Sequence, residues 1–252
     1  MPSWLALGFQ DSSSPMMGEL SYLHDHVMTI MFSVLIFISY ITFYVLFTTK
    51  FYKFLSEGTF VETIWSMVPA FLLIILVLPS MKVLYMMEDV KNPSLTFKIV
   101  AHQWYWTYVV PLFKNFSFLF SDKGQVFSYY EFDSVLDGDD YSGPRLLGCS
   151  SDLFIPVGLT SRFLITSTDV IHSFSLPVLG MKVDALPGRI NQLFAMPSRL
   201  GHFYGQCSEI CGSNHSFMPI SLKVCGIGDF DSHSKLFTLD FFGECISSSI
   251  KL

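Results

Sequence analysis

Two long apolar runs dominate the first third of the chain. From Val27 to Phe47 the sequence reads VMTIMFSVLIFISYITFYVLF, with no charged residue. Roughly 20 apolar residues at a rise of about 1.5 Å each cross the ~30 Å hydrocarbon core of a bilayer. The run therefore predicts a transmembrane helix. A second apolar stretch extends from about Ile64 to Met87, with Pro69 and Pro79 inside it. Prolines kink such a helix without ending it, because neighbouring segments satisfy the freed backbone groups. Helices over about 20–48 and 62–88, joined by a short loop, form a transmembrane hairpin inside an N-terminal part covering 1–90.

After Glu88-Asp89 the pattern changes to alternation. Leu95–Ala101 alternates as a strand does, and short strand-like runs recur at Arg162–Thr166, Gln192–Met196, Gly201–Gly205 and Ile220–Val224. Turn signals at Asp137-Gly138, Ser142-Gly-Pro144 and Pro187-Gly188 separate them. Residues 91–252 thus read as an all-β sandwich or barrel. His102-Gln-Trp-Tyr-Trp-Thr-Tyr108 crowds aromatic rings into an early strand. Period-2 alternation puts Trp104 and Trp106 on one face with His102. Pro111–Tyr130 reads as an extra hairpin or long loop, and Asp133–Asp140 as a solvated acidic loop.

Composition agrees with a membrane anchor. Of the 252 residues 51% are hydrophobic and 14% charged, low for a soluble protein. The net charge of −6 argues against nucleic acid as a partner and fits a basic protein. Five cysteines, Cys149, Cys207, Cys211, Cys225 and Cys245, do not make a regular disulfide framework. No cleavable targeting sequence is visible, because the first apolar run starts late and a second follows. Lys50 and Lys53 lie in the loop between the helices, and residues 1–26 hold no Lys or Arg. The positive-inside rule then puts the loop on the inner side and both termini on the outer side. Glu62 opens the second helix, where the helix dipole favours a carboxylate.

The chemistry concentrates between Gly205 and Pro219. Cys207, Glu209, Cys211, His215 and Met218 place two thiols, a carboxylate, an imidazole and a thioether within a dozen residues. Thiolate, imidazole and thioether are the donors that copper selects. A further ligand must come from elsewhere, and His172, in Asp169-Val-Ile-His172, stands at the end of a strand-like run. Zinc would accept two Cys and two His but has no use for the Met. A mononuclear blue-copper site would leave one thiolate over. Two thiolates, two His, one Met and a backbone carbonyl suit two copper ions bridged by both sulfurs. Copper, zinc and a structural thiol pair all remain open on the residues alone.

Several segments together resemble subunit II of the haem–copper oxidases, in the form found in mitochondrial cytochrome c oxidase. They are Glu62-Thr-Ile-Trp65, Asn92-Pro-Ser-Leu95, His102–Trp106, Asp169–Ser173, Asp184–Arg189 and Tyr204–Pro219. The resemblance covers nearly the whole chain. It implies a two-helix anchor carrying a Greek-key cupredoxin domain in the intermembrane space of the mitochondrial inner membrane. A dinuclear CuA centre would be held by His172, Cys207, Cys211, His215, Met218 and the backbone carbonyl of Glu209. The Glu209 carboxylate would reach a magnesium ion shared with subunit I. Trp104 matches the point where electrons from cytochrome c enter, and Glu62 the mouth of a proton channel. Oxygen reduction would take place in subunit I. Two alternatives are a copper-free quinol oxidase subunit, whose kind lacks these ligands, and a membrane-tethered zinc-binding structural subunit.

Two departures from the family pattern stand out. Acidic residues usually follow the Trp-Tyr-Trp motif and hold basic cytochrome c. Here the run is Val109-Val-Pro-Leu-Phe-Lys-Asn115. The chain is also longer between Trp106 and Phe132-Asp133-Ser134, which implies an insertion near 111–131. Asp169 and the Asp133–Asp140 cluster are candidates for the missing negative charge.

Overall fold

The computed structural model describes residues 8–50, 52–54, 56–88, 93–113, 126–138 and 144–236. The chain divides into a helical unit, Glu19–Met86, and a second unit formed by Met1–Gly18 together with Met87–Leu252.

The helical unit is built on α1, Pro15–Phe47, and α2, Thr59–Glu88. Ser14 caps α1: its hydroxyl accepts the Met17 N–H at 3.0 Å, and Pro15 takes the first helical position, where no donor is needed. Both helices have a mean hydropathy of 2.3 over their most apolar stretch, and almost none of that stretch is buried by protein. Hydroxyls in such surroundings need local partners. Thr29, Ser33, Thr42, Thr63 and Ser66 each donate to the carbonyl four residues earlier, at 2.8 Å. Pro69 and Pro79 lie inside α2 without interrupting it. Lys82 and Glu19, at the two ends of the hairpin remote from its loop, pair at 2.7 Å.

The second unit is a β-sandwich. One sheet runs β3–β2–β1–β5–β8, using Leu95–His102 (β1), Tyr105–Phe113 (β2), Val126–Ser134 (β3), Ser161–Ser167 (β5) and Asn191–Ala195 (β8). The other runs β4–β10–β9, using Leu153–Pro156 (β4), Gly201–Gln206 (β9) and Pro219–Cys225 (β10). His172–Leu176 (β6) and Met181–Ala185 (β7) form a separate hairpin. β1 pairs in parallel with β5 and β10 in parallel with β4, which makes both sheets mixed. Alternation aims Phe97 and Ile99 of β1 and Phe163 and Ile165 of β5 inward, all at 0% exposure. The rings of Phe97 and Phe163 stack at 5.6 Å. Facing them are Leu153, Ile155, Leu222 and Val224 from the second sheet.

β6 is buried along its whole length because it lies across the free edge of β9. Gly205 permits this approach: a Cβ there would collide with the Ser175 carbonyl oxygen. Ser208 N–H then donates to Ser173 O at 3.0 Å. The contact fixes the start of the 207–218 loop beside the start of β6.

Two sequence expectations need correction. Period-2 alternation does not pass through His102–Trp106, because Gln103-Trp104 is the turn between β1 and β2. His102 pairs with Tyr105 and the two rings stack at 4.6 Å, while Trp106 turns into the core. Asp133 is not in a loop: it belongs to β3 and accepts from Thr107 Oγ1 at 2.6 Å. The hairpin alternative for Pro111–Tyr130 agrees with the structure, since β2, ending at Phe113, pairs antiparallel with β3, starting at Val126, while 114–125 lies outside the described residues. Asp139 and Asp140 lie outside them as well.

Candidate metal centre

His172, first residue of β6, and the 207–218 loop meet at one pole of the sandwich. The donor atoms of His172, Cys207 and Cys211 all lie within 4.8 Å of one another, and all three residues are buried. His172 Nδ1 is 3.9 Å from Cys207 Sγ. His215 Nδ1 is 3.4 Å from Cys211 Sγ, and Met218 Sδ is 3.5 Å from the same sulfur. The Glu209 carbonyl oxygen is 3.3 Å from Cys207 Sγ. Each thiol therefore has its own imidazole, and the thioether and the carbonyl fall on different sulfurs.

Local structure explains the arrangement. A 3-10 turn at His215–Phe217 swings the imidazole back toward Cys211, closed by Phe217 N–H to Asn214 O at 2.9 Å. Gly212, at φ +128, makes the bend that precedes it. β10 begins at Pro219, which leaves Met218 only 1% exposed and aimed inward. Trp106 supports the floor: its indole N–H donates to Met218 O at 3.3 Å, and its ring meets His172 edge-on at 6.1 Å.

The spacings fit metal. Zn–S and Zn–N bonds near 2.3 and 2.0 Å at a tetrahedral angle put sulfur and nitrogen about 3.5 Å apart. The observed sulfur–nitrogen distances of 3.4 and 3.9 Å bracket that value. Among the described residues no disulfide joins the thiols. A thioether in the cluster favours copper over zinc.

Electrostatics prepare one thiolate. Burial pushes the Cys207 thiol up, but hydrogen bonds from His172 and from the Ser173 and Glu209 backbones outweigh it and bring it to about 7. Burial and the neighbouring Cys207 charge push Cys211 up to about 12. The first proton therefore leaves from Cys207, and a bound cation is what favours the second ionisation. Burial lowers His172, yet its bonds to Cys207 and Asp169 hold it above the ordinary value. Asp169 Oδ1 accepts from His172 Nε2 at 2.9 Å. A carboxylate only accepts, so Nε2 keeps a proton, and once the ring is neutral the Nδ1 lone pair faces the sulfurs.

Trp104 and Glu62 do not belong to this cluster. Trp104 is half-buried in the β1–β2 turn, its ring against Gly212, where a Cβ would sit 3.0 Å from Cζ2. Gln103 Nε2 donates to Cys211 O at 2.8 Å, which ties that turn to the 207–218 loop. Glu62 stands exposed in the first turn of α2, in the helical unit. The Glu209 side chain is exposed at the rim. The sequence reading missed Gln103 as a partner of Cys211, Asp169 as a partner of His172, and Trp106 as support for Met218. The first two neighbour Trp104 and His172 within the quoted motifs, whereas nothing in spacing marks Trp106.

Comparison with known families decides the assignment. Residues 95–225 match the periplasmic domain of cytochrome c oxidase subunit II, and residues 2–83 match its transmembrane domain. The chain belongs to the cytochrome c oxidase subunit II family. Its relatives include cytochrome c oxidase subunit 2 of Sympetrum striolatum, 42% identical over 91% of this chain and 96% of the relative. The protein of the same name from Branchiostoma floridae is 45% identical over 89% of this chain and 93% of the relative. Among solved structures, the periplasmic domain of subunit II of cytochrome oxidase (CoxB) of Bradyrhizobium japonicum is 38% identical. It covers 61% of this chain and 99% of that one, with a TM-score of 0.51. The cupredoxin sandwich behind a two-helix membrane anchor agrees with this membership, as does a copper-type donor set at the pole. As a member of the family, the chain is one subunit of a haem–copper oxidase complex.

Proposed function

We propose that this chain accepts electrons from cytochrome c for a cytochrome c oxidase in the mitochondrial inner membrane, with oxygen reduced to water in subunit I. The observation that carries the reading is the pairing of each thiol with its own imidazole, His172 with Cys207 and His215 with Cys211. His172, Cys207, Cys211, His215, Met218 and the Glu209 carbonyl would hold two copper ions. When bound, the metal pair would supply a one-electron acceptor.

The protein's own part is to hold that donor set rigid and dry. Cys207, Cys211, Met218 and His172 are buried, which limits water as a competing ligand, while His215 is half-buried at the rim. Trp104 offers cytochrome c an aromatic surface in contact with Gly212, the residue after Cys211. The exposed Glu131 and Asp133 of β3, opposite Val109 and Thr107 of β2, supply carboxylates along the strand that follows that turn. They stand next to the run that lacks acidic residues. The exposed Glu209 carboxylate is free to reach a magnesium ion at the border with subunit I, since magnesium binds through one or two carboxylates plus water. Glu62 would sit at the mouth of a proton channel on the side of Lys50 and Lys53, with both termini and the copper domain in the intermembrane space.

Metal analysis of the purified complex, combined with its electron spin resonance spectrum, tests the reading. Hyperfine splitting from two equivalent copper nuclei in this subunit is expected. Zinc in its place would make the chain a structural subunit, and an empty site a quinol-oxidase type.

A further inference from the structure

One carboxylate joins the metal-ligating imidazole to the turn that carries Trp104. Asp169 Oδ1 accepts from His172 Nε2 at 2.9 Å, while Oδ2 accepts from the Gln103 backbone N–H at 2.6 Å. Val170 N–H and Ser167 Oγ also donate to Oδ1, at 2.6 and 3.1 Å. Gln103 closes the ring, since its side-chain amide donates to Cys211 O at 2.8 Å. Both strands of the ring end on ligands, His172 on one side and Cys211 on the other, and Trp104 follows Gln103 directly.

We propose that Asp169 is a positioning residue that locks the His172 imidazole and the Gln103-Trp104 turn into one rigid unit, fixing the distance over which electrons enter. The proposal rests on the reading of Trp104 as the point where they do so. Four donors converge on this carboxylate, which is why a docking role through free surface charge does not describe it. The geometry uses both oxygens as acceptors. An asparagine offers one acceptor oxygen and an NH₂ that would face a donor N–H, so it must give up either His172 or Gln103. Partners that orient a ligating histidine matter nearly as much as the ligand itself. The negative charge beside His172 also favours the oxidised, more positive state of a metal bound there.

The test uses the assembled oxidase with Asp169→Asn, Gln103→Ala and Trp104→Phe, read by copper content, electron spin resonance, reduction potential and the rate of electron transfer from reduced cytochrome c. Asp169→Asn should keep its copper, raise the potential, alter the hyperfine pattern and slow transfer about tenfold at every salt concentration. An unchanged potential and spectrum, or a loss confined to low salt, overturns the proposal and leaves Asp169 a docking charge. If Asp169→Asn fails to assemble, Gln103→Ala decides: slower transfer at an unchanged potential supports the rigid unit, and an unchanged rate overturns it. A normal rate in Trp104→Phe would remove the reading of Trp104, while the potential shift in Asp169→Asn would stand apart from it.

Discussion

The ring of Trp104 lies against the backbone of Gly212, with no room for a side chain between them: a Cβ on Gly212 would stand 3.0 Å from Cζ2 and 3.2 Å from Nε1. Gly212 also sits at φ +128, which L-residues rarely adopt. Gly212→Ala should therefore push the indole off the loop and strain the bend that precedes His215. Electron transfer from reduced cytochrome c should slow by about tenfold or more, as misplacement by an ångström can cost a hundredfold. Stopped-flow oxidation of cytochrome c by the complex measures it.

Gly205 answers to a different neighbour. A Cβ there collides with the Ser175 carbonyl, which is backbone and cannot swing away. Gly205→Ala should separate β9 from β6 and cost about 3 kcal/mol, the upper end for overpacking. The same displacement pulls Cys207 from His172. Reduced copper content and a lower melting temperature of the complex are expected together.

Trp106 is fully buried and bonds to the Met218 carbonyl. Trp106→Phe keeps most of the packing and removes the indole donor, leaving a buried carbonyl without that partner. A loss of about 1–3 kcal/mol follows from an unsatisfied buried acceptor. Thermal denaturation should show a melting temperature lower than that of the parent, with copper retained.

Much of this fold is legible in the chain. The two apolar runs are long enough to cross a bilayer, and strands such as Ser161–Ser167 alternate cleanly because one face is core and the other is not. β6 carries no such signal. It is buried on every side, so Ser173 and Ser175 sit inside among Phe174 and Leu176, and their polarity hides the strand. The turn at Gln103-Trp104 is hidden as well, since aromatic residues on both sides suggest an unbroken strand. At the site, ligand chemistry pointed to the loop residues, and the strand-like run ending near His172 pointed to that residue before the family resemblance named it. Hydrogen bonds across 66 and 108 positions, Asp169 to Gln103 and Gln103 to Cys211, leave no trace in local pattern.

Cys149 provides a contrast with Cys207 and Cys211. Burial raises its thiol from an ordinary 9.0 to about 11, so at pH 8 only about a thousandth is thiolate in the folded protein. A thiol-alkylating reagent at that pH should spare Cys149 until denaturant is added. The sign is that of an acid held neutral by folding: below pH 9 the residue adds no pH dependence. Between about 9 and 11 the unfolded thiol ionises first and stability falls. Mass spectrometry of peptides after timed alkylation reads the site directly.

The central claim is that Cys207 and Cys211 together hold two copper ions, each with its own histidine. The most direct measurement is the electron spin resonance spectrum of the purified complex, parent against Cys207→Ser. The account predicts hyperfine splitting from two equivalent copper nuclei in the parent and the loss of that signal in the variant. A parent without copper in this subunit, or an intact two-copper spectrum in Cys207→Ser, would contradict it.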